Sequence, residues 1–206
     1  KRRYQIISRL LDVFLGRKYP KKNVPVIERY ADHITTTLRQ ELASHRIGTG
    51  GIRFQIEPGR SLYGNAGIHL STVLKTKYQT SPVGWNWVLL DTTYFFMTGG
   101  VLENNLHPFI WANRADDKPV KLADINGRSC YADRMIPEVR IPDIVKGDII
   151  AILETGAYQE VSACNFNAMC RPASILVCGS DAEVIKRAET LEEVFARDMV
   201  PKRLMV

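Results

Sequence analysis

Glu57-Pro58-Gly59-Arg60-Ser61-Leu62-Tyr63-Gly64-Asn65-Ala66-Gly67 is the stretch that divides this sequence. The residues just before it, Ile52–Ile56, read as a short strand. A strand that ends in Glu-Pro-Gly-Arg delivers three things to one place. These are a carboxylate, a backbone that glycine frees to approach a phosphate closely, and a guanidinium that can fork onto an oxyanion. The bare tetrapeptide taken alone fits a strand-to-turn junction with a surface ion pair better, so its neighbours decide.

Upstream the pattern is helical. Ile6, Ile7, Leu10, Leu11 and Phe14 give helical spacing over Tyr4–Leu15, and Gly16 can end that helix. Ile27, Tyr30, Ala31, Ile34, Leu38 and Leu42 predict a second amphipathic helix over Val26–His45. Downstream the pattern is β. Ala66–Lys77, Trp85–Phe96, Pro119–Leu122, Ser129–Ala132, Asp148–Leu153 and Ala173–Val177 read as short strands. They are separated by turn chemistry such as Asn126-Gly127 and Lys146-Gly147-Asp148. A final helix is expected, capped by Ser180 or Asp181, with Val184, Ile185, Ala188, Leu191, Val194 and Phe195 as its apolar stripe. The fold class is therefore α+β. Two helices and a strand lead into a mainly antiparallel β region with a closing helix, and the boundary falls near Arg60. Two helices cannot cover both faces of one strand, so residues 1–60 read as the end of a larger α/β unit that begins before Lys1.

Composition narrows the function classes. The chain has 206 residues and a formal net charge of +6. Much of the positive excess lies in Lys1, Arg2, Arg3, Arg9, Arg17, Lys18, Lys21 and Lys22. No aromatic stacking platform is interleaved with them, so a solvated surface is expected rather than a nucleic-acid partner. The longest apolar runs, such as Trp87–Leu90 and Ile149–Leu153, are strand-sized, and no membrane partner or secretory signal is read. Cys130, Cys164, Cys170 and Cys178 form no Cys-x-x-Cys pair, so no metal site is expected; reduced thiols and a cytoplasmic location are.

Three segments in order carry a resemblance. Glu57–Gly67 is the first. The second combines Gly147-Asp148, Gly156-Ala157-Tyr158, Asn165-Phe166-Asn167 and Arg171-Pro172-Ala173. Arg187-Ala188-Glu189-Thr190-Leu191-Glu192-Glu193 is the third. Together they resemble the diaminopimelate, ornithine and arginine decarboxylases of the alanine-racemase fold class, from about Tyr30 to Met199. The resemblance implies a (β/α)8 barrel that binds pyridoxal 5'-phosphate (PLP), followed by a β domain built as a Greek-key-like barrel or sandwich. It implies a head-to-tail homodimer with shared active sites. Residues 1–60 would be the last barrel helices and eighth strand, and residues 61–206 the C-terminal β domain with its closing helix. The family's cofactor-holding lysine lies on an early barrel strand, and no lysine here has a matching context. The chain alone is thus expected to lack the N-terminal barrel half and to be inactive.

The resemblance also assigns roles. Glu57 would face the pyridine nitrogen of PLP and keep it protonated. Gly59 and Arg60 would contact the cofactor phosphate or a substrate carboxylate, and the Tyr158 hydroxyl would meet the phosphate. Cys130, in Gly127-Arg128-Ser129-Cys130-Tyr131-Ala132-Asp133, aligns with a loop that reaches the partner's site, where its thiol can protonate Cα. The other three cysteines have no such match and read as structural. Two departures fall where substrate is read. Tyr131 stands where the family carries an acid, with Asp133 one residue early, and His107-Pro108 stands where an Arg-Pro is usual. His107, Tyr131 and Asp133 are therefore candidate substrate-binding residues for an amino acid whose side chain stays open. An amino-acid racemase of the same fold and a non-catalytic β domain that pairs with a full-length homologue are the alternatives.

Overall fold

The computed structural model describes residues 26–98, 106–130 and 133–205. The helix expected over Tyr4–Leu15 and the candidate Tyr131 lie outside them. Helix α1 spans Ile27–Ser44, as its apolar spacing predicts. It ends in a left-handed turn: Arg46 adopts φ 57°, its N–H bonds the Ala43 carbonyl at 3.0 Å, and the Ile47 N–H bonds Leu42 at 2.8 Å. That pair of bonds satisfies carbonyls that the helix end would otherwise leave open. None of the residues of α1 is buried. The strand expected at Ile52–Ile56 does not form among the described residues, which show no regular structure there. A strand needs a neighbour's backbone groups, and none is laddered to this segment.

The remaining chain builds a six-stranded mixed sheet in the order β3-β6-β1-β2-β4-β5. Its strands are β1 His69–Gln79, β2 Trp85–Leu90, β3 Phe109–Trp111, β4 Lys121–Asn126, β5 Arg134–Ile141 and β6 Ile149–Ile152. All pairs are antiparallel except β2 with β4, which run parallel. Alternation along β1 sends Ser71 and Val73 inward while Leu70 is 64% exposed. Val73, Leu90, Ala123, Ile125, Ile141 and Ile150 are fully buried and form the centre of the core.

Two strands of the six-stranded sheet escaped the sequence pattern for physical reasons. β3 is three residues long. β5 contains Pro137, which argues against an interior strand, but β5 is the sheet edge, where a missing N–H is tolerated. A polar clip holds that edge. The buried Asp124 carboxylate takes both Arg134 N–H groups at 2.8 and 2.9 Å and the Glu138 N–H at 2.8 Å. At the other side, Asp148 pins the start of β6 by accepting from Val145 N–H, Asn113 and Arg114. Burial works to raise the Asp148 carboxyl, and these donors hold it below its ordinary value.

The closing helix needs correction. Asp181–Lys186 is a strand, β8, paired antiparallel with β7, Ser174–Cys178. Gly179 takes φ 61° in the two-residue turn between Cys178 and Asp181, a conformation suited to a tight hairpin. Val184 and Ile185 are β-branched and satisfy the strand period as well as the helical one. Besides α1, the α-helices among the described residues are two single turns, α2 (Gln159–Ser162) and α3 (Leu191–Val194). Thr190 and Glu193 cap α3 reciprocally. The strand expected at Ser129–Ala132 is also absent where described: Arg128–Cys130 form a bend and turn after β4. No helix of the described residues is long and apolar enough to cross a membrane.

Candidate functional site

Two backbone segments far apart in sequence cross beside β1 and β6. The first runs from Glu57 to Gly67, the second from Glu154 to Tyr158. The Gly156 N–H bonds the Gly64 carbonyl at 2.9 Å, and the Thr155 N–H bonds Gly67 at 3.0 Å. The crossing is so close that a Cβ on Gly156 would lie 2.0 Å from the Tyr63 carbonyl oxygen. A Cβ on Gly67 would lie 2.3 Å from the Gly156 nitrogen. Only glycine on both strands of the crossing permits it.

That crossing sets Tyr158. Its backbone is left-handed at φ 70°, and its side chain turns back over the turn at Gly59–Ser61. Gly59 has φ +55°, and a Cβ there would stand 2.8 Å from the Tyr158 hydroxyl. The Arg60 guanidinium lies 5.3 Å from the Tyr158 ring centroid, and its Nη1 donates to the Ala157 carbonyl at 3.5 Å. Residues far apart in sequence thus place a phenol hydroxyl, a guanidinium and a side-chain-free backbone together. Tyr158 is 41% exposed, so the group opens to solvent. Glu57, two residues before Gly59 in sequence, is exposed.

His107 holds the second segment at both ends. Its Nδ1 bonds the Leu153 carbonyl at 3.0 Å, and its Nε2 lies 3.1 Å from the Gln159 amide nitrogen. Nearby, the His69 Nε2 meets the Thr92 hydroxyl at 2.6 Å. Burial pushes the His69 imidazole down to about 4, against the upward pull of Asp91.

A second constellation gathers around Cys130. The thiol is free and exposed, and its sulfur accepts from the Asn167 side-chain amide at 3.2 Å. Asn167 is itself left-handed, φ 57°. Phe166 stacks on Phe95 with ring centroids 4.0 Å apart. Glu189 anchors the segment from behind, accepting from Asn165 at 2.5 Å and from the Arg171 Nε at 2.7 Å. The bond from the Arg171 guanidinium leads the forces that hold the Glu189 carboxyl at about 2; burial opposes it, and the Arg171 N–H and Asn165 add to it.

Asp133, expected to read substrate, is engaged with backbone N–H groups. It is 5% exposed, and its two oxygens receive the Tyr94 N–H at 2.8 Å and the Ser129 N–H at 3.1 Å. It also packs on Gly127, where a Cβ would meet Oδ2 at 2.2 Å. Its carboxylate shapes the loop that presents Cys130. The structure therefore joins Gly59, Arg60 and Tyr158 in one group and sets Cys130 on Asn167. Asn167 and Gln159 were not singled out by sequence. The Asn165-Phe166-Asn167 motif was the available signal for the first, and nothing in the spacing marked the second.

Comparison with known proteins shows which family the chain resembles. The family model described as "Pyridoxal-dependent decarboxylase, C-terminal sheet domain" matches residues 11–156. Diaminopimelate decarboxylase of Neisseria meningitidis serogroup B is 33% identical over 185 residues, 90% of this chain and 42% of that protein. The Bacillus subtilis diaminopimelate decarboxylase is 28% identical over 208 residues, 95% of this chain and 45% of that protein. Among solved structures, M. jannaschii diaminopimelate decarboxylase in complex with L-lysine superposes with a TM-score of 0.79 at 26% identity. That match covers 91% of this chain and 41% of the other. The chain thus spans less than half the length of these relatives.

Proposed function

Because the chain belongs to the pyridoxal-dependent decarboxylases and carries their C-terminal sheet domain, we propose that the whole protein is a PLP-dependent amino-acid decarboxylase. Residues 1–60 are assigned to the end of its cofactor-binding barrel and residues 61–206 to its sheet domain. The observation that carries the reading is the Tyr158 hydroxyl held over Gly59 beside the Arg60 guanidinium.

This group fits a cofactor phosphate. A phosphate needs several N–H and O–H donors and a close backbone, and it favours a fixed cation. Tyr158 supplies the O–H, Arg60 the charged N–H groups, and Gly59 the room. Glu57, at the end of the same turn, is assigned to the pyridine nitrogen, where its carboxylate holds a proton. When bound, PLP supplies the sink for the electron pair left by departing CO2. Cys130 is assigned to the partner protomer's site in a homodimer, where its exposed thiol delivers a proton to Cα. Asn167 orients the sulfur through its amide. Asp133 is reassigned from reading substrate to holding the cysteine loop. Tyr131 remains the substrate-side candidate beside Cys130. Four free thiols favour a reducing, cytoplasmic location.

The test uses the complete enzyme. Tyr158→Phe removes one hydrogen bond to a charged group, an interaction worth roughly 1.5–3 kcal/mol. PLP affinity, followed by equilibrium fluorescence titration, should fall by about tenfold or more. Cys130→Ser should keep that affinity and lower turnover or divert the product. Unchanged PLP binding in Tyr158→Phe would remove the phosphate assignment.

A further inference from the structure

We propose that His107 is a positioning residue for Tyr158, acting through the loop that carries the tyrosine. The functional consequence rests on the phosphate reading above; the mechanical claim rests on hydrogen bonds alone. A carbonyl oxygen can only accept, so the His107 Nδ1 that meets Leu153 at 3.0 Å carries the proton. The Gln159 amide nitrogen at 3.1 Å can only donate, so Nε2 presents its lone pair. Together these bonds define one neutral tautomer.

The two partners flank the functional segment. Leu153 precedes it and Gln159 follows it, so one imidazole bridges the base of the Glu154–Tyr158 loop. The loop needs such a bridge because its conformation is costly. Glu154 and Tyr158 both take positive φ, 59° and 70°, which side chains rarely adopt. His107 is itself fixed. The Leu153 N–H bonds the carbonyl of the following residue, Pro108, at 2.8 Å. The ring lies among Tyr94, Met97, Met135, Ile136 and Ile152 around a small, largely apolar cavity. Gln159 is 2% exposed, so its amide is worth satisfying: an unpaired amide there carries the full desolvation penalty.

This geometry changes what His107 is for. A group that grips a substrate carboxylate must offer a cation or a free N–H at the site. Here one ring nitrogen gives its proton to the loop and the other accepts from it. His107 thus sets the position of a ligand-binding tyrosine and does not itself read substrate.

The experiment compares His107→Phe, His107→Gln and Gln159→Met in the complete enzyme. Phenylalanine removes both bonds at similar volume. Glutamine keeps an acceptor that reaches toward Gln159, and methionine at 159 removes the donor with little change of shape. The first readout is hydrogen exchange without added cofactor at the Thr155 and Gly156 amides, which bond Gly67 and Gly64. His107→Phe and Gln159→Met should speed exchange there by about tenfold, the loss expected for one or two hydrogen bonds. His107→Gln should restore part of the protection. The second readout is PLP affinity, which should weaken in parallel while turnover at saturating PLP stays near that of the parent. Unchanged exchange at both amides in His107→Phe and Gln159→Met would overturn the proposal. So would weakened PLP binding that glutamine fails to rescue and that melting temperature tracks, because that pattern marks general destabilisation. Tyr158→Phe separates the two claims. If it leaves PLP affinity intact while His107→Phe loosens the loop, the phosphate assignment fails and the positioning role stands.

Discussion

Gly67 and Gly156 meet backbone to backbone, and the position of Tyr158 depends on that meeting. Alanine at 156 would bring a methyl to 2.0 Å from the Tyr63 carbonyl oxygen, where only backbone movement can relieve the clash. Overpacking of this kind typically costs about 1–3 kcal/mol, and a backbone obstacle puts Gly156→Ala near the upper end. Gly50→Ala is the matched control. Nothing lies within 4 Å of its added Cβ, so its effect should stay within about 0.5 kcal/mol. Urea unfolding of both variants checks this. Equal midpoints would show that the crossing is looser than its geometry implies. The same pair of residues marks a limit of reading chemistry from sequence. Both glycines stood inside recognisable motifs, but no spacing along a chain reveals that two of them touch. Asp133 makes the point from the other side. Its place after Cys130 suggested a substrate ligand, and nothing along the chain announces that its carboxylate accepts from the backbone N–H groups of Tyr94 and Ser129.

At the scale of elements, two ion pairs outside the ladder fix the hairpin β7–β8 among the described residues: Lys186 of β8 pairs with Glu160 of α2, and Arg171 pairs with Glu189. Arg171 precedes β7, Glu189 follows β8, and their guanidinium–carboxylate bond closes the open end. The Arg171 side chain, against burial and with help from the Arg171 N–H and Asn165, keeps the folded Glu189 carboxyl at about 2, below an ordinary 4.5. A depressed carboxyl stabilises the fold above the unfolded value and loses that contribution as pH falls toward the folded one. The loss should therefore develop between about pH 4.5 and 2. Glu189 is 18% exposed and Arg171 45%, so solvent screening limits the contribution to about 1 kcal/mol. Protection from hydrogen exchange along β7 and β8, taken relative to the intrinsic exchange rate at each pH, should fall across that window. Glu189→Gln should show the lower protection already at neutral pH and lose the acid dependence. A variant that keeps the parent's acid profile would mean another carboxylate sets it. Strands β1, β2, β6 and β7 were legible in advance because alternation and turn residues agree there. The hairpin's second strand was not, since Val184, Ile185, Ala188 and Leu191 satisfy a helical period too. The β-branched pair and the turn at Gly179 tip that balance, through a partner strand that a one-dimensional pattern does not display.

At the scale of the whole molecule, apolar surface is unevenly covered. Ile175, Leu176, Val177, Val184 and Ile185 of the hairpin are 50–66% exposed. Phe54, Ile56, Leu62 and Leu70 are exposed by similar amounts, and α1 buries no residue. Soluble monomers rarely leave contiguous apolar patches of more than a few hundred Å2 open to water. The relatives matched here are more than twice as long as this chain, and their remaining length gives such surfaces something to pack on. The 206 residues by themselves should therefore self-associate in a concentration-dependent way, at a strength that follows apolar area. Light scattering across a dilution series reads the effect. Val177→Lys with Val184→Glu, which place charges on the hairpin beside residues paired in the ladder, should shift the chain toward monomer and leave its circular dichroism unchanged. A parent chain that stays monomeric at high concentration would show that its exposed apolar groups are too dispersed to form an adhesive face. If the doubly charged variant associates as strongly as the parent, the adhesive surface lies instead on α1 or on the turn that carries Gly59. In that case α1 or the turn that carries Gly59, rather than the hairpin, becomes the place to introduce charge.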